Sequence, residues 1–424
     1  MKKLLFAFLC VLLLLPLKAQ RTADIQNVAL FLQDRVEILD FAGPMEVLIA
    51  AGFNVYIVAR TKAPIKAMGE LTILPDYSIE DCPTPDLIAF FGGGGAARVA
   101  QYPDVQKWLA EVFPKTKMQF SVCTGAFFLG EMGLLDGKTA TTFHSAIPGL
   151  QERFPEATVR DDVRYVDNGS VITTAGISAG IDGALHLVAK LKGKDRAKAV
   201  AENMEYFGWE PEKGLIMETP VVQTIKKQGF RKAMQSAGEE STLYYGEMMD
   251  MGKALAAEGH PEKAMEVFDY ALEVYQLAPN DCEVVRDVYL NAGRKVPPSR
   301  EKVLQLVNEG DFTAAADIIE TTKKDFPNWS FFTEHNGNMH GYHYLGNGDI
   351  KKAIGVFKLN VLAYPDSFNT YDSLGEAYMA AEEWDLAVQN YRKSVDLNPD
   401  NENGRQMLKK IEELRTKKKR MEQP

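Results

Sequence analysis

Residues Met118–Val122 form a short β-prone run, and the segment directly after them does most to limit how this chain can fold. Cys123-Thr124-Gly125-Ala126 opens a stretch with apolar residues at helical spacing as far as Leu135, so the cysteine is expected on a sharp strand-to-helix turn. Such an elbow exposes a side chain at the carboxyl end of a parallel strand and aims the amides of the next helix at it. That arrangement is expected to lower a thiol pKa and to offer donors to a developing anion. The competing reading is a buried structural cysteine, since free cysteine is among the most buried residue types.

Around this element, residues 24 to about 193 alternate short β-branched runs with amphipathic stretches. Further strands are expected over 27–32, 53–59, 86–91, 138–142 and 170–174, and helices over 43–51, 181–192 and from 194 to about 204. Such alternation builds a parallel sheet covered on both faces, which binds ligands at the carboxyl ends of its strands. Three candidates join Cys123 on that edge. Asp40 stands just before a helix whose first turn is expected to hold Pro44; its carboxylate either serves the site or satisfies the free amides of its own helix. Gly92-Gly93-Gly94-Gly95 directly follows a strand, as a loop that lets backbone approach a substrate or as a flexible turn. His144 follows the 138–142 strand, as a base or as a structural histidine.

Four motifs stand in order: Asp40-Phe41-Ala42-Gly43-Pro44-Met45-Glu46, Val122 to Ala126, Gly133 to Thr142, and Ala175 to Asp182. With them the chain resembles the DJ-1/PfpI superfamily, which shares its fold with class I glutamine amidotransferases, and within it the branch of isonitrile hydratases and amidase-like regulator domains. The resemblance covers about residues 25–193. It implies a flavodoxin-like three-layer α/β domain with Cys123 as nucleophile and Asp40, His144 or Glu46 moving protons. Amides near Gly93, Gly94 and Thr124 would hold developing charge. No His-x-Glu follows the nucleophile and Thr124 rather than histidine follows Cys123, so amidotransferase and protease chemistry are not implied. Hydration or hydrolysis of a small C–N substrate is. Dimerisation through this domain is also implied, with a monomer left open.

At 424 residues the chain exceeds one core, and its net charge of −10 argues against a nucleic-acid or anionic-membrane partner. Residues 1–19 are expected to be a cleaved export signal, with Lys2 and Lys3 before an apolar run from Leu4 to Leu15, which places the protein in a periplasm. That run is short of the roughly 20 residues that span a bilayer. Cleavage leaves Cys82, Cys123 and Cys282, an odd, scattered set without CxxC or metal-ligand spacing, so a free thiol and neither metal nor cofactor are expected.

The second half repeats. Gly341, Ala353, Phe357 and Pro365 recur 34 residues later as Gly375, Ala387, Tyr391 and Pro399; Gly252, Ala264, Phe268 and Pro279 form an earlier copy, and Ala315, Ile319 and Pro327 another. This fits the tetratricopeptide pattern, in which small residues let two antiparallel helices pack closely. An all-α solenoid over 241–415 is therefore expected, joined by a linker over 206–240 to an α/β domain over 24–205. Its groove would take a protein or peptide partner, or the array is a spacer with no ligand. Trp329, Phe331, Phe332, His335, His340, His343 and Tyr344 are read as core and groove lining rather than metal ligands. Two functions stay open: an enzyme acting on a small C–N electrophile, and a binding or redox-sensing scaffold that recruits a partner through the repeats.

Overall fold

The computed structural model describes residues 25–236 and 243–421; the expected export signal lies outside them. The chain packs as two compact units divided after Asp250. In the first, the strands are β1 (Asn27–Leu32), β2 (Asn54–Ala59), the small hairpin β3 (Ile65–Lys66) and β4 (Thr72–Ile73), β5 (Tyr77–Ser78), β6 (Leu87–Phe90), β7 (Met118–Val122), the side pair β8 (Thr139–Thr141) and β9 (Thr158–Arg160), β10 (Tyr165–Asp167), β11 (Val171–Thr174) and β12 (Gly214–Ile216). Eight of them form one sheet in the order β12-β10-β11-β7-β6-β1-β2-β5. Every neighbouring pair in it is parallel except β10 with β11.

The alternation of side chains along β1 explains the layers. Val28, Leu30 and Leu32 face one core with α1 (Ile38–Ala50), α6 (Ala179–Lys192) and α7 (Lys194–Asn203). Ala29 and Phe31 face the other, with α2 (Ala96–Val99), α3 (Pro103–Val112), α4 (Ala126–Glu131) and α5 (Ile147–Arg153). A strand buried on both faces must be apolar throughout, as Val-Ala-Leu-Phe-Leu is.

Three expectations shift. Helix α1 starts at Ile38, so Pro44 lies inside it and Asp40 within its first turn. The 138–142 strand exists as β8, but it pairs with β9 beside the main sheet. The stretch read as a linker over 206–240 supplies the edge strand β12, paired with β10, and then α8 (Pro220–Gln228) and α9 (Phe230–Ser236). Three-residue strands give too little periodicity to be seen in sequence. A buried ion network closes this unit: Asp167 accepts from His186 at 2.7 Å and from Lys190 at 3.1 Å, and Lys190 also reaches Glu247 at 2.5 Å on the first turn of α10 (Tyr245–Ala257).

Beyond it the chain is helical: α11 (Pro261–Val274), α12 (Pro279–Asn291), α13 (Arg300–Glu309), α14 (Phe312–Asp325), α15 (Glu334–Gly346), α16 (Ile350–Ala363), α17 (Phe368–Ala380), α18 (Trp384–Leu397) and α19 (Glu402–Met421). The recurring small residues sit where helices meet. A Cβ on Gly341 would come within 2.3 Å of the Phe357 ring and one on Gly375 within 3.1 Å of Tyr391, while Ala353 and Ala387 are fully buried. Trp329, Phe331 and Phe332 are buried; His335 and His343 are exposed.

Two glycines of one helix should therefore respond oppositely. Gly341→Ala should destabilise the array by about 1–3 kcal/mol through overpacking, although alanine favours helix. Gly346→Ala, with open space around it, should be neutral or stabilising by up to about 1 kcal/mol. Urea unfolding of the two variants checks this.

Candidate active site

The register of three central strands builds the site. Phe90 pairs with Ser121 and Thr174 with Val122, so the chain just past β6, β7 and β11 brings Gly92, Cys123 and Ala175 to one level. Cys123 begins a one-turn 3-10 segment (Cys123–Gly125) that leads into α4, as the elbow motif predicts. Its φ is +60°, a left-handed conformation that costs a non-glycine residue of order 1–3 kcal/mol and persists only where its surroundings enforce it. Those surroundings are visible. The Cys123 amide donates to Ala175 O at 3.0 Å, and the Thr142 hydroxyl donates to Cys123 O at 2.6 Å. Gly125 lies so close to β6 that a Cβ there would meet Phe90 O at 2.3 Å.

Asp40 arrives from α1 and is fully buried. It does not cap its own helix. Its Oδ1 accepts from the Ile177 amide at 2.8 Å and its Oδ2 from the Gly92 amide at 3.2 Å, and the Cys123 thiol lies near enough to the carboxylate for each to shift the other's pKa. Gly92 borders both groups and must lack a side chain: a Cβ there would lie 2.5 Å from Sγ and 2.8 Å from Asp40 Oδ2. On the far side Gly176 leaves room for Sγ and for the Phe143 ring.

Burial pushes Asp40 up from 3.8 to about 6, against the lowering effect of the Ile177 amide and the thiol. Burial also pushes the Cys123 thiol up, and the Asp40 charge adds to it; the amide and hydroxyl of Thr124 act the other way. The expectation of a lowered thiol pKa is thus reversed. A helix terminus contributes up to about 2 kcal/mol, less than the several that removing a charge from water costs.

The other sequence candidates divide. Thr124 joins the pair, its hydroxyl accepting from the Gly93 amide at 3.2 Å. Gly93 and Gly94 stand beside it, but their amides are already spent, that of Gly93 on Thr124 and that of Gly94 on Arg35 O at 3.0 Å. Gly93 has φ +122° and forms an isolated bridge to Val36, a structural role. His144 and Glu46 are exposed; among the described residues neither bonds to Cys123 or Asp40, and the His144 ring rests against Phe143 at 4.2 Å. Ile177 was missed. It holds φ +57°, rare for a β-branched residue, and nothing in its sequence context announces that.

Known proteins share this domain. Residues 26–190 match the DJ-1/PfpI family. Isonitrile hydratase of Pseudomonas putida is 34% identical over 181 residues, covering 42% of this chain and 78% of the hydratase. The HTH-type transcriptional regulator CdhR of Pseudomonas aeruginosa is 31% identical over 147 residues, covering 35% of this chain and 43% of the regulator, so under half the regulator is spanned. Among solved structures, a ThiJ/PfpI family protein from Pseudomonas syringae aligns at 24% identity with a TM-score of 0.41, over 49% of this chain and 89% of that one.

Two measurements probe the pair. The folded domain binds the Asp40 proton more tightly than the unfolded chain does, so this group favours folding most below about pH 4, and that contribution is lost as pH rises through about 6. Stability should fall by up to about 3 kcal/mol across that window in the wild type but not in Asp40→Asn, as read by pH-dependent unfolding. In a Cys82→Ala, Cys282→Ala background, Asp40→Asn should also speed alkylation of Cys123 at pH 8–9 by about tenfold, because a negative neighbour is removed from the thiolate; equal or slower alkylation contradicts the assigned contact.

Proposed function

The chain belongs to the DJ-1/PfpI family, and from that premise we propose that it adds water to a small C–N electrophile, an isonitrile before others, through Cys123 and Asp40. The observation that carries this reading is that the Cys123 thiol and the Asp40 carboxylate are both buried and both border Gly92, where a Cβ would lie 2.5 Å from Sγ and 2.8 Å from Asp40 Oδ2. A thiol that keeps its proton beside a carboxylate able to take it can deliver sulfur and proton to one carbon.

Sulfur attacks the terminal isonitrile carbon while its proton passes through Asp40 to that same carbon, giving a thioimidate R–N=CH–S–Cys123. Asp40 then takes a proton from water, whose oxygen adds to the carbon, and passes that same proton to the nitrogen, which leaves Asp40 ionised again. Collapse of this adduct breaks the C–S bond, forms the carbonyl, returns the hydroxyl proton to sulfur and releases an N-substituted formamide. The Thr124 amide and hydroxyl hold charge on sulfur in the first and last steps.

Redox sensing fits less well, since sensor cysteines are exposed and of low pKa and Cys123 is neither. The helical half is read as a tetratricopeptide array that holds a protein or peptide partner, and the chain as an exported, periplasmic protein. The supports are the 34-residue recurrence of close-packed Gly–aromatic pairs and the charge and length of residues 1–19.

Cyclohexyl isonitrile with the purified protein, followed by NMR for formamide, tests the chemistry. Turnover should rise with pH through about 6 as Asp40 ionises, vanish in Cys123→Ala and fall at least about 100-fold in Asp40→Asn. The same Asp40→Asn change is expected to make the thiol more alkylable, so loss of turnover would not reflect a blocked sulfur. Activity surviving in Cys123→Ala, or no turnover of isonitriles, nitriles or amides by the wild type, would sink this reading.

A further inference from the structure

We propose that Arg164 and Asp182 are positioning residues for the Cys123–Asp40 pair, clamping the turn at residues 175–178 so that the Ile177 amide stays on the Asp40 carboxylate. Asp182 closes the last of the four sequence motifs, and no step of the hydration uses it.

The turn serves the site from its middle and is held at both ends by Arg164. Ala175 O accepts from the Cys123 amide at 3.0 Å, and the Ile177 amide donates to Asp40 Oδ1 at 2.8 Å. The Ala175 amide donates to Arg164 O at 2.9 Å, and Arg164 Nη2 donates to Ser178 Oγ at 3.1 Å. One residue, directly before β10, thus fixes the chain on either side of Ile177, which is kept at φ +57°. A left-handed β-branched residue persists only where its surroundings enforce it.

The start of α6 gives up its usual bonds to this arrangement. Ser178 is the N-cap, where a serine ordinarily accepts from free helix amides; it makes no such bond and accepts from Arg164 instead. Asp182, in the first turn and 2% exposed, also turns to the guanidinium: Oδ2 accepts from Arg164 Nε, and Oδ1 accepts from the Tyr206 hydroxyl at 2.9 Å. A planar guanidinium with donors on two separate acceptors is fixed in orientation as well as in place.

Burial raises the proton affinity of Asp40, and the Ile177 amide is the strongest influence against it. Loosening the turn therefore raises the Asp40 midpoint. The other ionisable groups that act on Asp40, Cys123 and Glu37, stay in place in the variants below.

The inference takes from the hydration reading only Asp40 as proton carrier, and its test uses no substrate, so each can fail without the other. Carbon-13 NMR of protein labelled at the aspartate carboxyls, with the Asp40 signal identified by its absence in Asp40→Asn, follows the titration from a wild-type midpoint of about 6. Arg164→Gln and Asp182→Ala should each raise the midpoint by about one unit, the scale of one lost hydrogen bond to a charged group. Ser178→Ala, an exposed and neutral change, should raise it by about half a unit. Charge acting through space would move Arg164→Gln and Asp182→Ala in opposite directions, so a shared rise marks the turn. Arg153→Ala, which breaks an ion pair with Glu131 in the same unit, should leave the midpoint unchanged. No shift or opposite shifts in Arg164→Gln and Asp182→Ala, or an equal rise in Arg153→Ala, would overturn the proposal. Where circular dichroism shows either of the first two unfolded, Ser178→Ala decides, and an unchanged midpoint there overturns it.

Discussion

A carboxylate with no contact to solvent has to be solvated by the protein, and Asp40 is solvated by amides that lie 52 and 137 residues further along the chain. Much of the first unit follows from meeting that condition. The β6 and β11 ends must hold their register on β7 to bring Gly92 and the Ala175–Ile177 turn to the same point. Ile177 must accept a left-handed backbone to aim its amide, and Gly92 must lack a side chain because its Cβ would occupy the space of the thiol and carboxylate. Two strained residues, Cys123 and Ile177, flank a single buried charge. Strain of that kind is retained where surrounding packing over-determines it, and here the surroundings are three parallel strands with apolar cores on both faces.

The sheet was legible because its strands obey simple rules. Asn27–Leu32 is apolar from Val28 onward and Met118–Val122 alternates apolar with polar residues, and the turn from Val122 into Thr124 announces a helix; both strands appear with the boundaries the sequence implies. Asp40, Cys123 and Thr124 were also named from sequence, since each lies in a motif at a strand or helix end. What escaped was whatever depends on partners distant in sequence. The amides of Gly93 and Gly94 looked free because glycine runs usually leave amides accessible, but Arg35 and Thr124 claim them. His144 is one residue beyond the position that reaches the thiol's surroundings, which Phe143 takes. The β12 strand is three residues long and edge-placed, below what periodicity can show.

In the helical half, legibility has a different cause. Repeated sequence means repeated contact, so one Gly–aromatic packing solution recurs as Gly252 with Phe268, Gly341 with Phe357 and Gly375 with Tyr391. The recurrence identifies the contact without any knowledge of long-range pairing, because each helix meets its neighbour in sequence. The α/β unit lacks that advantage. Its decisive contacts, Asp40 with Ile177 and Asp167 with Lys190, join segments that no local pattern connects.

The direction of the thiol shift is the most informative of these differences. A sequence motif displays the helix terminus that would stabilise a thiolate but not the burial that opposes it, and burial is the larger effect. The outcome is a pair in which the proton rests on sulfur and the negative charge on Asp40 at neutral pH, with the amide and hydroxyl of Thr124 placed to receive charge on sulfur. A preformed thiolate would supply a nucleophile and no proton. Addition across an isonitrile carbon needs both on the same atom, and a buried carboxylate whose pKa has been raised to about 6 can accept the thiol proton and surrender it again within one encounter. In the proposed hydration, burial weakens the thiol as a free nucleophile and attack is coupled to proton transfer through Asp40.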